Sequence, residues 1–253
     1  MFSYEDYSRI VNIIKDSKRQ KTYLEAINSD DFIIMRHDVE YSVERAYRLS
    51  RLEDKLDFKS TYFFQWTNNT YNLLSKINLE MIHEMHKEGH EIGLHYALNG
   101  LTDMQEIRRR IKMEIKALSE LLEFDITSFS VHRPTKEILR ENICLPNVIN
   151  AYQSEFFTFA EEVSDLNNVK VKYMSDANHK WNYGTPNEES ILGNKKVQIL
   201  THPYTWTEKG YDNEGNFVTL INEKIKELVD SIDSECKHFA GVRDNVEKKI
   251  FLK

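Results

Sequence analysis

The stretch Asp31-Phe32-Ile33-Ile34-Met35-Arg36-His37-Asp38-Val39-Glu40 is an apolar, β-branched run that ends in a polar cluster. The same pattern, a short apolar run followed by histidines or carboxylates, recurs at 91–96, 131–134, 173–176 and 201–203. Because a parallel α/β barrel collects the carboxyl ends of its strands on one face, these side chains are expected to converge on one pocket. Histidines and carboxylates that share a pocket are typical of a hydrolytic site.

Segments with helical periodicity alternate with these runs. Residues 42–56, 79–87 and 103–122 have apolar residues at helical spacing, and Ser42 suits an N-cap. The alternation predicts a parallel sheet joined by right-handed crossovers. Further strands are predicted at 60–65, 126–131, 148–151, 169–174 and 197–200, and a late helix at 220–232. Roughly seven or eight such units favour a TIM-like α/β barrel over an open sheet, in one domain that spans residues 1–253.

Composition narrows the class of protein. The formal net charge of -7 and the isoelectric point near 5.8 give no electrostatic reason to expect a nucleic-acid partner. Residues 1–7 lack the basic and apolar regions of a signal segment, and no run has the length and apolar character of a transmembrane span. We therefore expect a cytoplasmic protein without a transmembrane segment. The sequence does not indicate an oligomeric state.

Asp38 and Glu40 are the first candidates for chemistry. At a strand end the chain is still extended, so side chains two residues apart point to the same side. Two carboxylates so close perturb each other, and a metal ion beside them would relieve the repulsion and leave one of them free as a base. The alternative is structural, with an N-capping Asp and a solvated Glu ahead of the helix that follows Ser42.

Histidines supply the next candidates. His95 and Asn99 could bind one metal ion, because residues four apart meet when the chain turns helical after a strand. His132 is a further candidate ligand, and Arg133 could orient Asp38 through a charge-assisted bidentate pair. The alternative for any single histidine is a buried residue with satisfied hydrogen bonds, and this alternative weakens when several strand ends carry such residues.

Asp176 and His202 follow two later strands. A carboxylate that accepts a hydrogen bond from His202 would raise the pKa of the imidazole and suit it to general acid catalysis. The polar loop 175–193 is long for a compact domain, so we predict that it covers the substrate, with Trp181 in the pocket wall. Tyr96 and Trp206 are the other aromatic residues that we predict to bind substrate.

The ordered motifs resemble those of the polysaccharide deacetylase family, also called the NodB-homology or carbohydrate esterase family 4 group. In chain order they are Arg36-His37-Asp38-Val39-Glu40, Ser60-Thr61-Tyr62-Phe63-Phe64, Gly89-His90-Glu91-Ile92-Gly93-Leu94-His95, His132-Arg133-Pro134, Asp176 with Trp181, and Ile199-Leu200-Thr201-His202-Pro203. The segment that begins at Gly89 is the most specific of them. The motifs extend over residues 31–206, most of the chain.

The resemblance implies a distorted (β/α)7–8 barrel that hydrolyses an N-acetyl group of a sugar with the help of a divalent metal, usually zinc. On the family pattern Asp38 is the general base, Glu40 and His95 bind the metal, Arg133 orients Asp38, and His202 is the general acid. A carbohydrate is the implied substrate. The resemblance and the missing signal segment together predict an activated or lipid-linked sugar of bacterial surface polysaccharide assembly.

The Arg-Pro segment continues Thr135-Lys136 and lacks the usual Tyr, and two metal-ligand positions depart from the family pattern. Glu40 stands where the family usually has Asp, and Asn99 stands where it has a second metal-binding His. The departures leave the third ligand open, with His132 as a replacement, and they allow a weak or missing metal. They also motivate two alternatives: a catalytically silent barrel that binds carbohydrate, and a hydrolase of another C–N amide bond on the same scaffold.

Overall fold

The computed structural model describes residues 1–159 and 170–251, and its backbone divides into two compact units, Met1–Gly210 and Tyr211–Lys253. The strands, all in the first unit, are β1 Phe32–Val39, β2 Thr61–Phe64, β3 Glu91–Ala97, β4 Ser128–His132, β5 Ile149–Asn150, β6 Lys172–Ser175 and β7 Lys196–Thr201. The helices of this unit are α1 Tyr4–Ser17, α2 Tyr23–Ala26, α3 Val43–Lys55, α4 Lys76–Lys87, α5 Met104–Leu122, α6 Lys136–Arg140 and α7 Glu188–Leu192, with a short 3-10 helix at Pro203–Thr205.

The second unit contains α8 Asn213–Glu235 and α9 Arg243–Phe251. The predicted late helix at 220–232 lies within α8 and is confirmed. The prediction of a single domain over 1–253 stays a prediction. No helix in the described ranges is long and apolar enough to cross a membrane.

All strands of the first unit belong to one parallel sheet, in the order β5-β4-β3-β2-β1-β7-β6. Each of the first five strands pairs with its neighbour in sequence, and β7 then pairs with β1 from Phe32–Lys196 to His37–Thr201. This last pairing places a late strand beside the first strand. Such a strand order is that of a barrel and not of an open, doubly wound sheet. Among the described residues no ladder joins β5 to β6, so the barrel is incomplete there. The predicted distorted (β/α) barrel is confirmed.

Helices form the crossovers between consecutive strands, and those predicted at 42–56, 79–87 and 103–122 correspond to α3, α4 and α5. α3, α4, α5 and α6 follow β1, β2, β3 and β4 in turn. The Ser42 side chain caps α3 by accepting a hydrogen bond from the backbone N–H of Arg45, as predicted. The strand predicted at 169–174 begins at Lys172, and the first position of that prediction lies outside the described residues. The loop predicted at 175–193 contains α7.

The two faces of β1 contact different parts of the protein, because successive side chains of a strand point to opposite sides. Ile33 and Met35 pack in an apolar cluster with α1 residues such as Tyr7. Ile34 belongs to a separate cluster inside the barrel, together with Phe63 of β2 and Ala151 after β5. Residues 36, 38 and 40 therefore share the inner face with Ile34, which places their polar groups inside the barrel.

A buried carboxylate lies on the outer side of the sheet. Glu53 of α3 is fully buried and accepts hydrogen bonds from Tyr7 (2.5 Å) and Tyr62 (2.6 Å). It also accepts one from Ser60 at 2.7 Å, and His37 Nε2 lies 3.1 Å from its Oε1. Burial raises the pKa of Glu53. His37 has the opposite effect through its charge and its hydrogen bond, and the pKa falls to about 2. This ionised group joins α1 and α3 to the outer face of β1 and β2.

Candidate active site

The structure brings the five sequence clusters together at the carboxyl ends of the strands. Glu40 follows β1, His95 lies in β3, His132 ends β4, and Asp176 and His202 follow β6 and β7. The side chains of His132, Glu40 and His202 are 22%, 12% and 10% exposed, whereas that of Asp38 is only 4% exposed. Solvent therefore reaches the cluster from the side of His132, Glu40 and His202, and Asp38 lies at the bottom of the pocket.

Glu40, His95 and His132 form a group that could hold a metal ion. One ligand atom from each lies within 4.8 Å of the other two. His132 Nδ1 is 3.0 Å from Glu40 Oε1 and 3.1 Å from His95 Nε2. Burial raises the pKa of Glu40, but the hydrogen bond from His132 and the neighbouring imidazoles outweigh it, so the pKa lies below its usual value. We call these three residues the ligand group.

Hydrogen bonds beneath the ligand group fix the tautomer of His95. The Ser130 hydroxyl donates a hydrogen bond to Asp38 Oδ1 at 3.3 Å, so its oxygen accepts a hydrogen bond from His95 Nδ1–H at 2.7 Å. Burial is the largest influence on the pKa of His95 and lowers it to about 4, against the opposing charge of Asp38. His95 is therefore a neutral imidazole whose Nε2 presents a lone pair to the ligand group.

Asp38 is held by Arg36 and not by Arg133. Arg36 Nε donates to Asp38 Oδ1 at 2.9 Å and Nη2 donates to Oδ2 at 2.7 Å. Burial raises the pKa of Asp38, but Arg36 outweighs burial and holds the pKa far below its usual value. The predicted pair of Arg133 and Asp38 is wrong, because Arg133 is exposed with a positive φ and lies beside Tyr41 outside the barrel floor.

His202 and Asp176 form the predicted dyad. His202 Nδ1 donates to Asp176 Oδ1 at 2.6 Å, and the backbone N–H of His202 also donates to the Asp176 carboxylate. Burial lowers the pKa of His202, but Asp176 and the nearby carboxylates outweigh burial and raise the pKa to about 9. His202 is therefore an imidazolium near neutral pH. Its Nε2 lies 3.9 Å from Glu40 Oε1, at the edge of the ligand group.

Asn99 does not join the ligand group. The chain stays extended in β3 as far as Ala97, and Asn99 and Gly100 then adopt positive φ, so no helical turn brings the side chain four residues back toward His95. α5 begins only at Met104. The helical turn on which the pairing of Asn99 with His95 depended is absent, Asn99 as a ligand stays a prediction, and His132 is the third member of the group.

The predicted aromatic wall is also wrong in part. Tyr96 is buried among the apolar residues that face α5, because alternation along β3 sends it to the side opposite His95. Trp206 is 1% exposed and donates its indole N–H to Asp176 Oδ2 at 2.9 Å, so it orients the dyad and is closed to substrate. Trp181 is partly buried against Trp206 and Phe2, with ring centroids 6.1 Å and 6.2 Å away.

Two residues of the site were not predicted, although the sequence contains a signal for both. Arg36 precedes Asp38 by two residues, and Ser130 precedes His132 by two residues. The alternation that puts Asp38 and Glu40 on one face puts these residues on it as well. Alternation applies to the interior of a strand in the same way as to its end.

Comparisons with known proteins give matches among solved structures only. No family model matches the sequence, and no curated protein matches it. The chain is similar to the Xyl-CE4 domain of a multidomain xylanase from the hindgut metagenome of Trinervitermes trinervoides, with 15% identity over 79% of this chain and 84% of that chain and a TM-score of 0.42. It is also similar to the chitin deacetylase of Colletotrichum lindemuthianum, with 14% identity over 76% of this chain and 81% of that chain and a TM-score of 0.41.

A pseudoenzyme is among the matches as well. BA3943 of Bacillus anthracis, described as a CE4 family pseudoenzyme, is 12% identical over 88% of this chain and 78% of that chain, with a TM-score of 0.43. Identities this low do not transfer an activity from one chain to another. The solved structures similar to this chain thus include proteins of carbohydrate esterase family 4, the family that the sequence motifs resemble.

Proposed function

We propose that this protein is a metal-dependent hydrolase that removes an N-acetyl group from a sugar or a polysaccharide precursor. The observation that carries the proposal is the position of the ligand group between Asp38 and His202. A metal site, an ionised carboxylate and an imidazolium are the three parts that metal-assisted amide hydrolysis needs. The sequence motifs support the substrate class, since they resemble those of a family that deacetylates sugars.

The chemistry of the ligand group suits a divalent cation such as zinc. Two imidazole nitrogens and one carboxylate oxygen are a donor set that zinc binds in catalytic sites. Because the His95 proton is on Nδ1 and the Glu40 carboxylate is ionised, His95 Nε2 and Glu40 Oε1 direct bare lone pairs toward His132. Glu40, His95 and His132 would hold the ion, which supplies a Lewis acid for the acetyl carbonyl and lowers the pKa of water.

The residues on either side of the ligand group would move the protons. Asp38 would accept a proton from the attacking water as the new C–O bond forms. His202 would give its Nε2 proton to the sugar nitrogen as the C–N bond breaks, so that acetate and a free amine leave. Asp176 holds His202 by Nδ1, and this hydrogen bond leaves the Nε2 proton on the side that faces Glu40.

A second candidate is a barrel that binds carbohydrate without turnover. The observation in its favour is the bidentate pair between Arg36 and Asp38, because a carboxylate with a very low pKa is a weak base. The lone pairs of Asp38 that Arg36 leaves free can still accept a proton, so the hydrolase remains the better supported of the two.

Acetate release separates the two candidates. Metal-free protein should release no acetate from N-acetylated oligosaccharides, and release should begin on addition of zinc, cobalt or nickel. His202→Ala should lower the rate by about 10²- to 10⁴-fold, the usual contribution of a general acid. Absence of acetate from every metal-loaded sample, with oligosaccharide still bound, would support the binding barrel instead.

A further inference from the structure

One face of α8 is apolar and repeats in the pattern of a coiled coil. Its residues are spaced alternately by three and four positions, and they are Val218, Ile221, Ile225, Leu228 and Ile232. Ile225 is partly buried, and the other four are between 37% and 59% exposed. The face extends over residues 218–232, about 22 Å of helix. A continuous exposed apolar surface is typical of an interaction site, and we call this one the seam.

The residue types of the seam suit a second copy of the same helix. In heptad notation Val218, Ile225 and Ile232 occupy a positions, and Ile221 and Leu228 occupy d positions. β-Branched residues at a, combined with Leu at d, favour a parallel coiled coil of two strands. In such a dimer each a or d residue lies beside its own counterpart, so all the apolar residues of one seam pack against those of the other.

The charges at the ends of α8 favour this parallel pairing over an antiparallel one. Glu214 and Glu235 occupy the d positions that precede and follow the seam, and both are exposed. An antiparallel pair sets a positions against d positions. Its best registers therefore place Ile232 opposite Glu214 or Val218 opposite Glu235. The parallel pair leaves both carboxylates outside the seam and covers every apolar residue in it.

The residues beside the seam also fit a protein partner. The flanking e and g positions are 217, 222, 224, 229 and 231, and among these described positions only Lys224 is charged. In the parallel pair it lies opposite Val229 of the second copy, so no like charges meet. α8 as a whole carries six carboxylates and two lysines. A helix that binds an anionic membrane surface is rich in Lys and Arg, so the charge of α8 argues against lipid as the partner.

α9 lies against a different side of α8 and leaves the seam exposed. Arg243 of α9 donates to Asp233 at 2.7 Å and also forms an ion pair with Asp230. These two carboxylates occupy b and f positions, which point away from the a and d positions of a coiled coil. The second unit therefore presents the seam as a formed helical surface.

We infer that the seam is a dimerisation surface, through which two copies of this chain pair as a parallel, two-stranded coiled coil. The inference is independent of the proposed function, because the residues of the candidate active site lie outside α8. The seam is short and small interfaces bind weakly, so we expect a dissociation constant on the order of 10 µM.

Sedimentation equilibrium of the full chain, over a range of roughly 1 to 300 µM, tests the pairing. The mean mass should rise with concentration from 30.0 kDa toward twice that value. Leu228→Glu sets two carboxylates against each other in the seam and should raise the dissociation constant at least about tenfold. The matched control is Ser234→Glu, at an exposed position on the opposite face of α8.

Both substituted positions are exposed, so both variants should fold, which circular dichroism checks. Wild-type protein that stays monomeric over the whole range would overturn the inference. The same conclusion would follow if Leu228→Glu dimerised as tightly as Ser234→Glu.

Disulfide formation tests the parallel arrangement. In protein that also carries Cys144→Ser and Cys236→Ser, Leu228→Cys should cross-link with itself on oxidation, because a d residue lies within disulfide distance of its counterpart. In an antiparallel dimer position 228 lies opposite 218 or 225 of the other copy. Cross-linking only in mixtures of Leu228→Cys with Val218→Cys or Ile225→Cys would therefore overturn the parallel pairing.

Discussion

Arg36 and Asp38 form a bidentate ion pair between two residues of the same face of β1, with donor–acceptor distances of 2.9 Å and 2.7 Å. Both side chains are buried inside the barrel. A planar guanidinium that holds both carboxylate oxygens fixes the orientation of the carboxylate as well as its charge. The orientation of the proposed base is therefore set within a single strand, and the charge of that base is compensated at the same place.

Loss of Arg36 should destabilise the protein strongly. Arg36→Met leaves the Asp38 charge buried without compensation, which typically lowers the free energy of unfolding by about 3–5 kcal/mol. Urea denaturation measures this loss. Addition of Asp38→Asn to the Arg36→Met protein should recover part of it, because the second change removes the uncompensated charge. The control Arg133→Met, at an exposed position, should stay within about 0.5 kcal/mol of wild type, and a larger loss there than in Arg36→Met would refute the pairing.

Zinc affinity should depend on the ligand group and on Ser130. His132→Ala and Glu40→Gln each remove a proposed ligand and should abolish tight binding in a competition titration with a chromophoric chelator. Ser130→Ala removes the partner that orients His95 and should weaken zinc by about 10- to 100-fold. Asn99→Gly, which keeps the positive φ accessible, should bind zinc as tightly as wild type. Loss of zinc binding in the Asn99 variant with retention in the His132 variant would reverse the ligand assignment.

The dyad of His202 and Asp176 should make stability depend on pH. The folded-state pKa of His202, which is about 9, lies above the value of about 6.5 for an unfolded chain. Its stabilising contribution is therefore complete below pH 6.5 and is lost as the pH rises through 9. In chelator-treated protein, the difference in unfolding free energy between wild type and His202→Gln should shrink over that interval. A difference that grows with pH would contradict the raised pKa.

The buried Glu53 should be a structural and not a catalytic residue. Glu53→Ala leaves Tyr7, Tyr62 and His37 without their acceptor on the outer face of the sheet, so we expect a loss of about 3–5 kcal/mol in unfolding free energy. Because the pKa of Glu53 is lowered to about 2, its contribution is present above about pH 4.5 and is lost as the pH falls toward 2. Glu44→Gln, at a half-exposed position in the first turn of the same helix, is the control. Chemical denaturation at pH 7 that finds the two variants equally stable would contradict the account.

The fold could be predicted from the sequence because helical and strand periodicities alternate regularly from β1 to β4. The alternation alone does not decide between a barrel and an open sheet. That choice depends on the pairing of β7 with β1, which joins residues far apart in sequence. The absence of a ladder between β5 and β6 among the described residues likewise has no local signal, since β5 is only Ile149–Asn150.

The sequence predicts which residues form the candidate site better than it predicts which of them contact each other. His202 and Asp176 follow adjacent strands and meet as expected. The expected contact of Arg133 with Asp38 follows from its place at a strand end, and that of Asn99 with His95 from a spacing of four residues, whereas both residues adopt positive φ in turns. Strand alternation, applied to every polar residue of β1, β3 and β4, predicts Arg36 and Ser130 and also excludes Tyr96 from the pocket.

Metal-dependent release of acetate from chitotetraose tests the central claim most directly. Zinc-loaded wild-type protein should release acetate, and metal-free protein should not. Asp38→Asn and His202→Ala, each with zinc bound, should lower the rate by about 10²- to 10⁴-fold. Release that continues unchanged in both variants, or that is absent from wild-type protein shown to hold zinc and chitotetraose together, would contradict the claim that these residues form a deacetylase site.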